Sequence, residues 1–400
     1  MLLQALTFQL GYNATLVTLG AMMLGISAGI VGTFLFLRKR ALVSDAIAHA
    51  TLPGVGLAFI VMSALGLDGR FLPGLLLGSA LSAFLGLLSV QWLVTRTRLS
   101  EDAAIGAVLS VFFAFGIVLL TVIQTLPTGG QAGLEGFLLG STAGMVLADA
   151  KLIALGGVLV ALLVLVFRRP MTVASFDPLF AEAQGMNLSR IDLVMMGLVL
   201  AVTVVGLKVV GLIMIVALLI IPAVAARFWS ERVEHVVLFA GLFGGISAWV
   251  GAAMSATAPD LPTGPLIVLT AFAMFVLSML LAPSRGLLST YLRHRQFQRG
   301  VHIRQGLIAL AQGQPIYEPL TLRLLMREGL ARADGVATED GKARAARALW
   351  DEKRWEIARA TPELELAAAR YDGLTQLADV LTPDQISEVD ARIAGPEAAS

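Results

Sequence analysis

From Met1 to Pro283 the chain is a succession of apolar runs, each long enough to cross a bilayer, which takes about 20 helical residues. Few other features narrow a fold so much. The runs are read as spans near 14–37, 42–64, 71–95, 103–124, 147–167, 188–206, 209–228, 233–256 and 264–282. The two short runs flanking Lys208 can be drawn as one or two, so the count is eight or nine. Composition agrees: 57% of residues are hydrophobic and 14% charged, with a mean hydropathy of +0.82. The charge is concentrated after Ser284. The expected organisation is therefore an all-α polytopic membrane domain over 1–284, a basic juxtamembrane linker over 285–300 and a polar domain over 301–400.

Connections rich in arginine alternate with connections poor in it. Arg38-Lys39-Arg40, Arg96 with Arg98, Arg168-Arg169, and Arg227 with Arg232 fall on one side. "LGLDGRF", "QTLPTGGQAGLEGF" and "TAPDLPTGP" fall on the other. By the positive-inside rule the arginine side and the tail are cytoplasmic and the N-terminus is outside. "MLLQALTFQLGYNATLVTLG" lacks the basic start and cleavage site of a secretory signal and reads as an amphipathic lead-in. With no cysteine, disulfides and thiolate metal sites are excluded. No G-x-x-x-x-G-K-[ST] run occurs, so any ATP must be bound by another chain. No nucleophile–base constellation stands out, which argues against an enzyme.

Within the second run, "SDAIAHATLPG" puts Asp45 and His49 four residues apart, on one helical face. Carboxylate plus imidazole is a donor set for Mn²⁺, Zn²⁺ or Fe²⁺, and ionisable groups inside a membrane mark ion pathways. Pro53-Gly54, one turn on, predicts a helix break that frees carbonyls and opens a passage. Asp45 as a helix cap, with His49 bonded to a neighbouring span, is the competing reading. Two ligands do not complete a divalent site, so other spans or a second copy must contribute. Glu135, Asp149, Asp192, Met195, Met196 and Met214 are the other candidates, the methionines being better suited to packing.

Two loops stand apart. The Gly-rich outer segment 125–146 is either a re-entrant helix or a long loop. The inner loop "RRPMTVASFDPLFAEAQGMNLSR" predicts a helix of under two turns, capped by Asp177, begun by Pro178 and stopped at Gly185. Leu179 and Phe180 are expected to hold it against the cytoplasmic face.

"LRKRALVSDAIAHATLPGVGLAFI" resembles the signature of the metal-cation ABC importer permeases for manganese, zinc or iron. "VVGLIMIVALLIIPAVAARF" resembles a second hallmark span, "SFDPLFAEAQGMN" the cytoplasmic coupling segment, and "GFLLGST" and "DLPTGPLIVL" two outer segments. These matches run in family order over about 280 residues. The resemblance implies a type II ABC importer fold without a permanently bound cofactor. It implies three protein partners: a separate cytoplasmic ATPase, an extracytoplasmic metal-binding protein and a second permease chain, identical or paralogous. It makes Asp45 and His49 metal ligands in transit, beside Pro53 and Gly54, and assigns ATPase coupling to Asp177, Pro178, Glu182 and Gly185.

The tail begins with a basic stretch suited to the membrane surface. Then come two helices, a hairpin signal at Asp334-Gly335, a long basic helix and two more helices with Thr-Pro starts at 361 and 382. This is a winged-helix order, and "REGL", "DG", "WE" and "LADVLTPD" resemble the DtxR-type metal-dependent repressor in sequence. Two imidazole ligands of that family are replaced by Glu352 and by the Leu377-Ala378-Asp379 run. A degenerate winged-helix-like regulatory or partner-binding module is the favoured reading, with Glu352, Glu356 and Asp379 as candidate metal or partner contacts. A tethered repressor and a solvated cap are the others, and DNA is not expected as a partner. The leading function is metal import, with manganese first and then zinc or iron. A membrane-anchored metal-responsive regulator is the alternative, and a secondary transporter a third.

Overall fold

The computed structural model describes residues 2–7, 9, 11–67, 69, 71–125, 147–207, 209–258 and 261–394. Glu135, Lys208, the outer segment 126–146 and the side chain of Asp149 lie outside the described residues. The chain forms two compact units, Met1–Ser289 and Thr290–Ser400.

In the first unit a short α1, Leu2–Leu6, precedes α2, Tyr12–Leu37. There follow α3, Ala41–Ala64; α4, Leu72–Arg96; α5, Glu101–Thr125; and α6, Leu147–Phe176. After them come α7, Pro178–Ala183; α8, Leu188–Gly206; α9, Leu212–Arg227; α10, Val233–Ser255; and α11, Thr263–Leu281. Eight of these, all but α1, α7 and α9, are long and apolar enough to cross a membrane.

The ambiguity around Lys208 resolves into two helices of unlike length. With 16 residues, α9 rises only about 24 Å, short of a hydrocarbon core about 30 Å thick. The backbone before it is irregular at Val209 and Val210, both 0% exposed. Such backbone is tolerated at depth when protein surrounds it. Around α9 stand α2, α3, α8, α10 and α11.

The interior is built by close backbone approach as much as by large side chains. On α2, a Cβ at Gly25 would fall 2.2 Å from the carbonyl oxygen of Gly244 on α10. At Gly29 it would fall 2.0 Å from that of Ala240. Small residues at these crossings let van der Waals contact hold helices that lipid gives no hydrophobic reason to pair.

At the arginine-bearing end an ion-pair network ties the bundle. Arg38 donates to both carboxylate oxygens of Asp192, at 2.6 and 2.8 Å, and to the carbonyl of Ala174 at 2.8 Å. Arg40 bridges Asp192 at 3.0 Å and Glu101 at 3.0 Å. Lys39 between them has φ +58°, a left-handed turn uncommon outside glycine. That turn lets two arginines, two positions apart, reach one carboxylate.

The separate linker and first tail helix do not appear: one helix, α12, Leu287–Ala311, takes in nearly all of both and lies mostly in the second unit. It is followed by α13, Pro319–Arg327; α14, Glu339–Ala360; α15, Glu365–Ala368; and α16, Pro383–Ala394. The expected wing is reduced to one antiparallel bridge, Ala331 to Ala337. Its flanks are short: the N–H of Thr338 already bonds Leu330 at 3.1 Å, and Thr338 then caps α14 through the N–H of Gly341. A winged helix needs more strand than this, and none forms among the described residues. One apolar cluster of this unit centres on Trp355, 0% exposed, with its indole N–H donating to the carbonyl of Thr375 at 2.9 Å, and another on Leu307, Leu325 and Leu330.

Candidate functional site

Helical spacing brings Asp45 and His49 together as expected. Nε2 of His49 lies 3.4 Å from Oδ1 of Asp45 on α3, with side-chain exposures of 18% and 39%. Phe113 of α5 meets the imidazole edge to face, 4.9 Å between centroids. Nδ1 is buried without a hydrogen-bond partner in the protein. The ring is thus oriented by packing, and Nε2 faces the carboxylate. Ser44 and Thr51 on the same helix give their hydroxyl protons to the carbonyls of Ala41 and Ala48, both at 2.6 Å.

The helix break expected at Pro53-Gly54 is not present. Backbone stays helical from Ala41 to Ala64 with Pro53 inside. A bundle can absorb an interior proline because neighbouring helices support it. What Pro53 does remove is the N–H that would bond the carbonyl of His49 four residues back. Gly54 serves packing: a Cβ there would stand 2.1 Å from the carbonyl oxygen of Gly78 on α4.

The other candidate ligands do not join the pair. Asp192 is fully engaged by Arg38 and Arg40. It lines a cavity of ≈ 230 Å³ with Arg40, Gln91 and Glu101. Met195 and Met196, 3% and 5% exposed, pack in the hydrophobic core, and Met214 packs against it. Among the described residues no group of three or more His, Cys, Asp or Glu side chains could hold a metal. The pair offers two donors and no more.

The short inner helix forms as its sequence dictates. Asp177 accepts from the N–H of Phe180 at 2.9 Å and Pro178 opens α7. Gly185, at φ +76°, closes it. Its N–H bonds Glu182, and that of Met186 bonds Ala181, the paired pattern of a glycine-terminated helix. Leu179 and Phe180, expected to hold it against the cytoplasmic face, point away from the rest of the chain. They are 79% and 51% exposed, while Ala181, at 0%, makes the inward contact. Glu182 is exposed as well.

In the tail the three carboxylates named from sequence do not gather into one cluster. Glu352 accepts from Tyr371 at 2.6 Å, Arg304 at 3.0 Å and Arg359 at 3.1 Å. Burial pushes its carboxyl up, but those hydrogen bonds and the two guanidinium charges outweigh it, so the group titrates below the usual carboxylate range. Glu352 is the hub of an internal network of one tyrosine and two arginines. Glu356, one turn along the same helix, and Asp379 are exposed. This hub escaped sequence reading because its cations lie 48 and 7 residues away.

Comparison with known proteins falls on the first unit. The chain is 39% identical over 298 residues to the manganese transport system membrane protein MntC of Bacillus subtilis, covering 74% of this chain and 67% of that one. It is 38% identical over 285 residues to the zinc transport system membrane protein TroC of Treponema pallidum, covering 71% and 94%. Among solved structures, PsaBC from Streptococcus pneumoniae in complex with Fab superposes with a TM-score of 0.63 at 29% identity, over 74% of this chain and all of that one. The membrane-anchored regulator gains no support from these matches. The ABC 3 transport family model matches residues 12–282, from the first residue of α2 to just past the end of α11, and the chain belongs to that family.

Proposed function

We propose that this chain is the membrane permease of an ATP-driven importer for a divalent transition metal, with manganese the first candidate and zinc the next. The observation that carries this is the Asp45–His49 pair, 3.4 Å apart on a helix inside a membrane bundle. Ionisable groups are costly there and persist where they serve an ion. Hard carboxylate and borderline imidazole suit Mn²⁺ and Zn²⁺ alike. MntC and TroC, the similar proteins, are named for manganese and zinc respectively.

In this reading the metal is substrate. Asp45 supplies charge and His49 a nitrogen, and two donors hold the ion loosely enough to let it leave, as conduction requires. A second permease chain brings further donors. An extracytoplasmic binding protein delivers the metal, and a cytoplasmic ATPase meets α7, whose exposed Leu179 and Phe180 offer it an apolar grip.

The test is uptake of Mn²⁺, Zn²⁺ and Fe²⁺, each alone, by cells expressing this chain with its ATPase and binding protein. Uptake of one metal is expected, and its loss in His49→Ala and Asp45→Ala while the complex stays assembled. Normal uptake by both variants would overturn the role of the pair.

A further inference from the structure

A groove between α2, α6 and α10 has a chemistry that metal transport does not use. It encloses ≈ 890 Å³ and is apolar along most of its length. On α2 it runs from Ile26 to Phe34, on α6 from Ala161 to Val173, and along the start of α10 from its cap Arg232 to Leu242. At 1.5 Å per residue those stretches are about 12 to 18 Å long. That is about half the thickness of a hydrocarbon core of about 30 Å, the depth of a single leaflet.

Arg168, Arg169 and Arg232 gather at one end, the side that sequence assigns to the cytoplasm. Glu234 stands among them but reaches only Arg168, at 3.9 Å. Among the described residues Arg169 and Arg232 have no ion-pair partner. Three arginines against one glutamate leave two positive charges at the mouth.

Exposed leucines are ordinary on a membrane helix. A concave apolar slot one leaflet deep, closed by guanidinium groups at the headgroup end, is a more particular shape. A partner helix crossing the bilayer would extend past it and would have to bring acids to the arginines. A lipid of the inner leaflet fits both the depth and the charge.

We propose that this groove is a binding site for an anionic phospholipid, its acyl chains between α2, α6 and α10 and its phosphate held by Arg168, Arg169 and Arg232. Arginine forks suit phosphate oxygens, and each basic side chain near an anionic surface strengthens binding about fivefold.

The full chain is reconstituted in phosphatidylcholine nanodiscs with a minority of phosphatidylglycerol, and retained lipid is counted by native mass spectrometry. Phosphatidylglycerol is expected to be enriched over its bilayer share. Arg169→Gln or Arg232→Gln should each lower the enrichment about fivefold, and the two together with Arg168→Gln should abolish it. Ala161→Phe, which fills the slot without touching charge, should abolish it too. Equal retention of both lipids would overturn the proposal. So would enrichment that survives Ala161→Phe, since the arginines would then bind headgroups without the groove. The chain has no cysteine, so Leu238→Cys tests a different occupant: efficient crosslinking of two copies there would make the groove an interface between chains and overturn the lipid reading.

Discussion

Asp45 and Asp192 have the same side chain on packed helices, yet only Asp45 is free to meet a cation. Both oxygens of Asp192 are taken by Arg38 and Arg40, whereas Asp45 faces a neutral-capable imidazole at 3.4 Å. Opposite consequences of substitution follow. Asp192→Ala strands Arg38, 12% exposed, and breaking a buried pair costs about 3–5 kcal/mol. The partial exposure of Asp192, 21%, puts the loss near the low end. Thermal unfolding of the purified variant should show the fall, with metal preference unchanged. Asp45→Ala should leave the unfolding temperature nearly where it was and remove uptake. Gly54→Ala should cost about 1–3 kcal/mol, because its methyl would collide with the backbone of Gly78 rather than a movable side chain. A Gly54→Ala protein as stable as wild type would show that α3 and α4 can separate at no cost. Sequence supplies the donors at Asp45 and Asp192 equally. It does not supply the partner, which for Asp192 sits 154 residues earlier.

The spans were legible because a bilayer demands length and apolarity, and both are written in the chain. Their observed ends fall within a few residues of the apolar runs for α2 to α5, α8, α10 and α11. Two features were not. The Pro53-Gly54 pair reads as a break by rules for helices in water, where a lost hydrogen bond has no neighbour to compensate. The tail wing fails because its turn is legible at Asp334-Gly335 but its flanks are too short for strands. By contrast α7 was legible to the residue, since cap, proline and glycine each have a local physical cause. Asp177→Ala should weaken that helix by about 1 kcal/mol. Hydrogen exchange over 178–183 should quicken, and ATP hydrolysis by the assembled complex should lose its dependence on metal delivery; unchanged coupling would remove α7 from the proposed interface. In the tail, the hydroxyl of Thr375 and the N–H groups of Leu374 and Thr375 hold the Asp372 carboxyl down to about 2. A depressed carboxyl stabilises fully above its unfolded value of 3.8 and loses that contribution as pH falls. The gap in tail stability between wild type and Asp372→Ala should therefore be constant above pH ~4 and close towards pH ~2. A gap as large at pH ~2 as at pH ~5 would mean the turn does not need the charge.

At the scale of the whole molecule, the proposed metal role of Asp45 and His49 raises the question of what completes the coordination. Two donors from Asp45 and His49, and no third acid or imidazole beside them among the described residues, satisfy neither Mn²⁺ nor Zn²⁺, which take four or more ligands. Waters can fill the remaining positions, or a second chain can bring the same pair across a two-fold axis. A symmetric interface repeats each contact, so the second case yields two carboxylates and two imidazoles around one ion. Charge favours it. One carboxylate leaves a divalent cation with net positive charge in a low-dielectric bundle, and two neutralise it. The distinction is countable. Purified complex equilibrated with Mn²⁺ should hold one ion per two permease chains at the pair. A complex made of one wild-type and one His49→Ala chain should bind more weakly by at least tenfold. One ion per chain, with a mixed complex keeping half its sites at full affinity, would mean that each pair works alone with water. The dimer would then serve the ATPase and not the ion.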